Sequence, residues 1–131
     1  MSESASQRGP RTRSYRDLIA WQKAMQLAKQ VYLVTERFPA EERFGLTVQM
    51  RRSAVSVPSN IAEGHGRLSD RALRMFLGNA RGSLFELETQ TLLATDLTYL
   101  KKEDADSVLT LTAEVARILN GLLRTLEVDE A

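Results

Sequence analysis

Cysteine is missing altogether from the 131 residues, histidine occurs once, proline three times, and aromatic residues make up only 6%. Without cysteine there can be no disulfide, no thiolate metal ligand and no sulfur nucleophile, and such a chain suits a reducing, cytoplasmic location. One histidine cannot build a multi-histidine metal site, and the paired Glu-x-x-His pattern of di-iron bundles is absent, so no metal and no cofactor are expected. Long apolar runs are also lacking; the longest hold a few residues, against the ~20 that a spanning helix needs, so no membrane is expected. The stretch from Met1 to Gln7 is Ser-rich with no hydrophobic segment, and no secretory signal is expected there.

Nor does one sign of charge dominate. Lys and Arg number 18 against 17 Asp and Glu, for a net charge of +1. That balance hides a division along the chain. Residues 1–81 carry a net +7 and residues 82–131 a net −6. Such asymmetry fits either a basic surface that faces a ligand or two regions that meet and neutralise each other. With 43% apolar residues, the chain has enough side chain to bury the core of one domain.

Residues 1–13 hold Ser, Gly, Pro and Arg without an apolar period, which reads as a flexible basic arm bearing Arg8, Arg11 and Arg13. A folded domain is expected over 14–128. Its first helix spans about Asp17 to Arg37, with Leu18, Trp21, Met25, Ala28 and Tyr32 at three- and four-residue steps, and stops at Phe38-Pro39. A second is expected from about Ala40–Glu42, carrying Leu46, Met50, Ala54, Val57 and Ile61. Pro58 lacks an amide donor and crowds the preceding turn, so it should kink that helix or end it early. Gly64-His65-Gly66 is a break. Ser69 is a good N-cap for a third, long helix with Leu73, Phe76, Leu77, Ala80, Leu84, Leu87, Thr91 and Ala94 on one side. A fourth, from about Glu103 to Glu127, repeats Val108, Leu111, Val115, Ile118 and Leu122. No stretch alternates with period two. The expected fold is all-α: an antiparallel up-and-down four-helix bundle with a Pro-kinked second helix.

Catalytic chemistry is hard to find. His65 lies between two glycines with Glu63 two residues away, a weak general-base arrangement, and Gly64-His65-Gly66 lacks the strand and spacing of a phosphate-hydrolysing loop. Surfaces are more informative. Arg67, Arg71, Arg74 and Arg81 fall on one flank of the third helix, with Gly78 in the same row. Guanidinium forks on one flank suit either a phosphate backbone or the acids of neighbouring helices. On the second helix Gln49, Arg52, Ser53, Ser56, Asn60 and Glu63 share a side, and Val48 and Val55 add a second apolar row. A lone bundle needs one buried stripe per helix, so the extra row points to self-association.

The run Gln49-Met50-Arg51-Arg52-Ser53-Ala54-Val55-Ser56-Val57-Pro58-Ser59-Asn60-Ile61-Ala62-Glu63-Gly64 resembles the signature of a bacterial four-helix-bundle family. That family is named for open reading frames in the intervening sequences of 23S ribosomal RNA genes. Asp17 to Ala24, Phe38-Pro39, Glu42 to Thr47 and Ala80 to Gln90 match it as well, so the likeness extends from about Tyr15 to Leu100. The resemblance implies a ring-like homopentamer with no established enzymatic activity and no cofactor. It also brings in the related accessory variability proteins of diversity-generating retroelements, basic pentamers that bind nucleic acid and a reverse transcriptase.

The expected function is therefore that of a non-enzymatic homo-oligomer that binds RNA or DNA through Arg51, Arg52, Arg67, Arg71, Arg74 and Arg81, aided by the arm. Its subunit contacts are expected at Val48, Arg52, Val55, Ser56 and Asn60. The alternative is a protein-interaction scaffold whose arginines form ion pairs between subunits, without nucleic acid; this reading also allows a protein partner.

Overall fold

The computed structural model describes residues 14–126; the expected arm at 1–13 and residues 127 and 128 of the expected domain lie outside the described residues. Four helices follow in order: α1 (Ile19–Thr35), α2 (Leu46–His65), α3 (Asp70–Asp96) and α4 (Lys102–Thr125), with no strand among the described residues. α1 packs on α2 and α4, and α3 packs on the same two, so the four close a ring around one core. The fold is an all-α four-helix arrangement.

Each helix adds a stripe to that core. Leu27 and Val31 of α1, Met50, Val57 and Ile61 of α2, Leu84 and Leu87 of α3, and Val108, Val115 and Leu119 of α4 are fully buried. Each such side chain stabilises the fold by roughly 1.5–3 kcal/mol relative to exposure. Thr35, Thr91 and Thr112 are buried among them. Their hydroxyls donate one turn back along their own helices, to Val31 O (2.7 Å), Leu87 O (2.7 Å) and Val108 O (2.8 Å), and so need no partner across the core.

Helix α2 departs from its sequence-based start. Ala40–Glu42 form a separate 3-10 turn, and the helix begins at Leu46. The reason lies in Glu42, whose carboxylate acts as a cap rather than as a first-turn acid. Its Oε1 accepts from the Leu46 N–H at 2.9 Å, and its Oε2 accepts from the Tyr99 hydroxyl at 3.0 Å. Tyr99 follows α3, and its ring also meets Phe38 at 5.5 Å, so one carboxylate ties together the α1–α2 and α3–α4 connections. In the latter, Thr98 has φ 64° and the Tyr99 N–H returns to Ala94 O at 2.9 Å. A β-branched residue in the left-handed region is uncommon, and here it ends a helix in the place glycine usually takes.

Pro58 does not end α2 early. The helix continues to His65, with the proline ring buried. α3 packs on α2 to either side of the proline: just before it, Ser56 and Ser83 share a hydroxyl–hydroxyl bond of 2.8 Å. A Cβ placed on Gly64 would lie 2.9 Å from Phe76 Cβ and 3.2 Å from Leu73 Cδ1. Tertiary contact thus outweighs the loss of one backbone donor. α3 itself starts where its cap predicts, with the Ser69 hydroxyl accepting from the Ala72 N–H at 3.1 Å.

Two expected outcomes follow from these contacts. Gly64→Ala should lower the unfolding free energy in urea by about 1–2 kcal/mol, because overpacking against Phe76 exceeds the gain in helix propensity. An unchanged midpoint would mean that α2 and α3 can separate there freely. Tyr99, through its hydrogen bond to Glu42, its partial burial and the nearby charges of Glu42 and Glu41, holds its proton above the usual phenol range. A raised folded value gives stability that is complete below about pH 10 and is lost as pH rises through the folded value. Thermal melts should therefore show wild type above Tyr99→Phe near neutral pH and converging on it above about pH 10; a gap that is constant to strongly alkaline pH would contradict the hydrogen bond.

Candidate nucleic-acid interface

The positions of the six candidate arginines follow from helix register. Steps of three and four put Arg71, Arg74, Gly78 and Arg81 on one outward flank of α3. Beside them runs the last part of α4, which brings up Asn120, Leu123 and Arg124. Between the two helices lies an open groove of about 640 Å³, lined by these residues with Met75 and Asn79. Arg71, Arg81 and Arg124 are exposed and Arg74 is half-buried. No carboxylate lines the groove. Gly78 is exposed on its lining, and an added Cβ there would meet no atom within 4 Å.

The remaining arginines sit elsewhere. Arg51 is held inside the chain: its Nε–H donates to Thr35 Oγ1 at 2.9 Å, its Nη2 reaches Tyr32 O at 3.3 Å, and its guanidinium lies 4.5 Å above the Tyr32 ring. Arg67 pairs with Glu63 at 2.6 Å and covers the Phe76 ring at 4.9 Å. Arg52 is exposed on α2, in a shallow depression shared with Arg43, Thr47, Val48, Val55 and Ser56. The structure thus joins Arg71, Arg74 and Arg81 in one site and leaves Arg51, Arg52 and Arg67 outside it.

Among the expected subunit contacts, Val55 is 43% exposed and Val48 half-buried. Ser56 and Asn60 are half-buried. Asn60 Nδ2 donates to both the carbonyl and the hydroxyl of Ser56, each at 2.9 Å, while Ser56 bonds Ser83. Val55 also borders an apolar groove of about 830 Å³ between α1 and α2, where Trp21, Met25, Tyr32, Leu33 and Pro58 meet. Leu33 is 60% exposed there.

His65 closes α2 and is half-buried. The carboxylate nearest it in sequence, Glu63, is engaged by Arg67. No group of three His, Cys, Asp or Glu residues among the described residues could hold a metal ion, and no described helix is long and apolar enough to cross a membrane.

Arg124, Asn79 and Asn120 were not legible as site residues. On the sequence Arg124 reads only as a cation suited to the negative end of α4. Its approach to α3 depends on how two helices far apart in sequence are packed.

With this geometry in place, comparison with known proteins is informative. Residues 16–121 match the family model described as 23S rRNA-intervening sequence protein. The chain belongs to that family. The fold is similar to the crystal structure of a protein of unknown function from the S23 ribosomal protein family of Bacteroides thetaiotaomicron VPI-5482. The TM-score is 0.73 at 20% identity, over 80% of this chain and 98% of that one. No curated protein matches the chain. The Gln49–Gly64 run lies within the matched residues and spans most of α2.

Gly78 offers a test that the groove lining is free of the chain itself. Gly78→Ala should raise stability by about 0.5–1 kcal/mol through helix propensity alone, in contrast to Gly64→Ala. A drop in the urea midpoint would show that part of the chain packs on Gly78.

Proposed function

We propose that this protein is a non-enzymatic helical bundle that self-associates and holds a nucleic acid, RNA or DNA, in the groove between α3 and α4. The observation that carries this reading is the convergence of Arg71, Arg74, Arg81 and Arg124 on one groove that no carboxylate lines. Arginine forks match phosphate oxygens in pairs, and a row of them along a helix follows a backbone of phosphates. Electrostatic neutralisation of that kind supplies most non-specific affinity.

Self-association rests on the second surface. Tyr32, Leu33 and Val55 leave apolar area uncovered along α1 and α2, beside Trp21 and Met25 of the same groove. A second copy is the economical cover, since most soluble assemblies are homo-oligomers; the family resemblance favours a pentamer. Several copies would set several grooves on one particle, so that modest single-site affinity is raised by avidity. A cytoplasmic setting fits both the absence of cysteine and a nucleic-acid ligand.

One observation favours the scaffold reading instead. Arg52 is exposed beside Val48 and Val55, and no acid pairs with it among the described residues. Such a cation would suit an ion pair with a neighbouring subunit or a protein partner.

A titration of labelled RNA at two salt concentrations, followed by light scattering, separates these readings. The groove reading expects log affinity to fall linearly with log salt, by about 0.7 per neutralised phosphate for a single strand. It expects Arg71→Glu with Arg74→Glu to lower affinity by about tenfold or more while the assembly stays intact. Binding that is undetectable or independent of salt overturns it. If the double variant falls apart and RNA makes no difference, the arginines hold subunits together.

A further inference from the structure

We infer that the α3–α4 groove takes a single strand, with unpaired bases, rather than the backbone of a duplex; this rests on the reading of the groove as a nucleic-acid site. The first reason is shape. A duplex presents its phosphates on a convex cylinder and needs cations on a matching surface, whereas here the cations rim a concavity of about 640 Å³. That volume is of the size that encloses a small ligand, and a nucleotide unit can enter it beside the exposed Gly78.

The second reason is an aromatic ring placed on the same flank. Phe85 stands one turn beyond Arg81 and seven residues beyond Gly78, which is about 10 Å along the helix. It is 49% exposed, and the Arg81 guanidinium lies 5.2 Å from its ring centroid. The guanidinium lies over one face of the ring, so a base stacks there by displacing it, and Arg81 is then released toward a phosphate; every base has a face to stack. A duplex cannot use the ring, because its bases already stack on each other and only their edges reach the grooves. At about 3.4 Å per stacked nucleotide, the distance from Gly78 to Phe85 covers roughly three nucleotides.

The third reason is the polar lining. Asn79 and Asn120 sit at the groove, and an amide offers both donors and an acceptor to an unpaired base edge. The site also has a limit. Glu88 lies one turn past Phe85, and a phosphate held near it would be repelled. The strand must therefore leave the flank there, which confines the site to the stretch from Arg71 to Phe85.

The experiment compares a labelled oligothymidylate with a hairpin duplex by fluorescence anisotropy, using wild type, Phe85→Ala and Phe85→Trp. Circular dichroism checks that each variant is folded. The single strand should bind at least tenfold more tightly than the duplex. Phe85→Ala should weaken the single strand by about tenfold and leave the duplex unchanged, with Phe85→Trp retaining wild-type affinity. Equal or tighter duplex binding, or an indifferent Phe85→Ala, overturns the single-strand inference while the groove reading stands. If neither probe binds, or Arg71→Glu changes neither, the groove reading falls and takes this inference with it.

Discussion

Where α2 meets α3, glycine and serine set the distance and the rotation between the two helices. Gly64 lets Phe76 and Leu73 come against the α2 backbone, and Ser56 and Ser83 fix the register with one hydroxyl pair. Once that side of α3 is buried, its opposite flank has no freedom. Leu77, Ala80, Leu84 and Leu87 point to the core, and the helical period turns Arg71, Gly78, Arg81 and Phe85 outward together. A larger residue at Gly64 would not only strain the seam; it would shift or rotate the flank that forms the groove.

The same register explains why like residues have unlike surroundings. Arg51 and Arg67 each lie within reach of a ring and of an acceptor on a neighbouring turn or helix, and both are engaged there. The groove arginines are brought together on a surface whose lining residues include no carboxylate, although the second half of the chain is acid-rich. Four of those acids lie at the far end of the bundle. Asp96 ends α3, and Glu103, Asp104 and Asp106 start α4, whereas the groove uses the start of α3 and the end of α4. A 27-residue helix is about 40 Å long, several Debye lengths at physiological salt. The dipoles of α3 and α4 oppose each other at the groove, one presenting its positive end and the other its negative end, so the side chains decide the sign of the field.

Much of this fold was legible in the sequence. Four amphipathic stretches, the Ser69 cap and the Gly64-His65-Gly66 break give the helices and one of their joints, because each signal lies within a few residues of the structure it specifies. What could not be read depends on contacts between distant segments. The start of α2 moved to Leu46 because Glu42 is shared with Tyr99, 57 residues away. Pro58 left open whether α2 is kinked or ended, and the helix runs on to His65 where α3 packs against Gly64. For the site, the α3 arginine row was visible from its spacing, but Arg124 and Asn120 were not, since nothing local marks them as neighbours of Arg74. Ser56 looks like a free surface hydroxyl on a helical wheel, yet it bonds Ser83 of α3, 27 residues away.

A groove with four cations is a small electrostatic site, and its size bears on why an exposed apolar face would persist on the same molecule. Each neutralised phosphate contributes a limited, salt-sensitive gain, so one groove alone would hold a strand weakly at physiological salt. The chain gives up little on the other side: Tyr32, Leu33 and Val55 lie on α1 and α2, away from Arg71 and Arg81 on the outer flank of α3. A second copy on that face, as proposed, would leave the groove uncovered. Under the proposed reading, the apolar face and the arginine groove act in series. The first sets the number and spacing of binding units, and the second sets how strongly each unit holds phosphate, so changes in either should appear as changes in the steepness of the salt dependence.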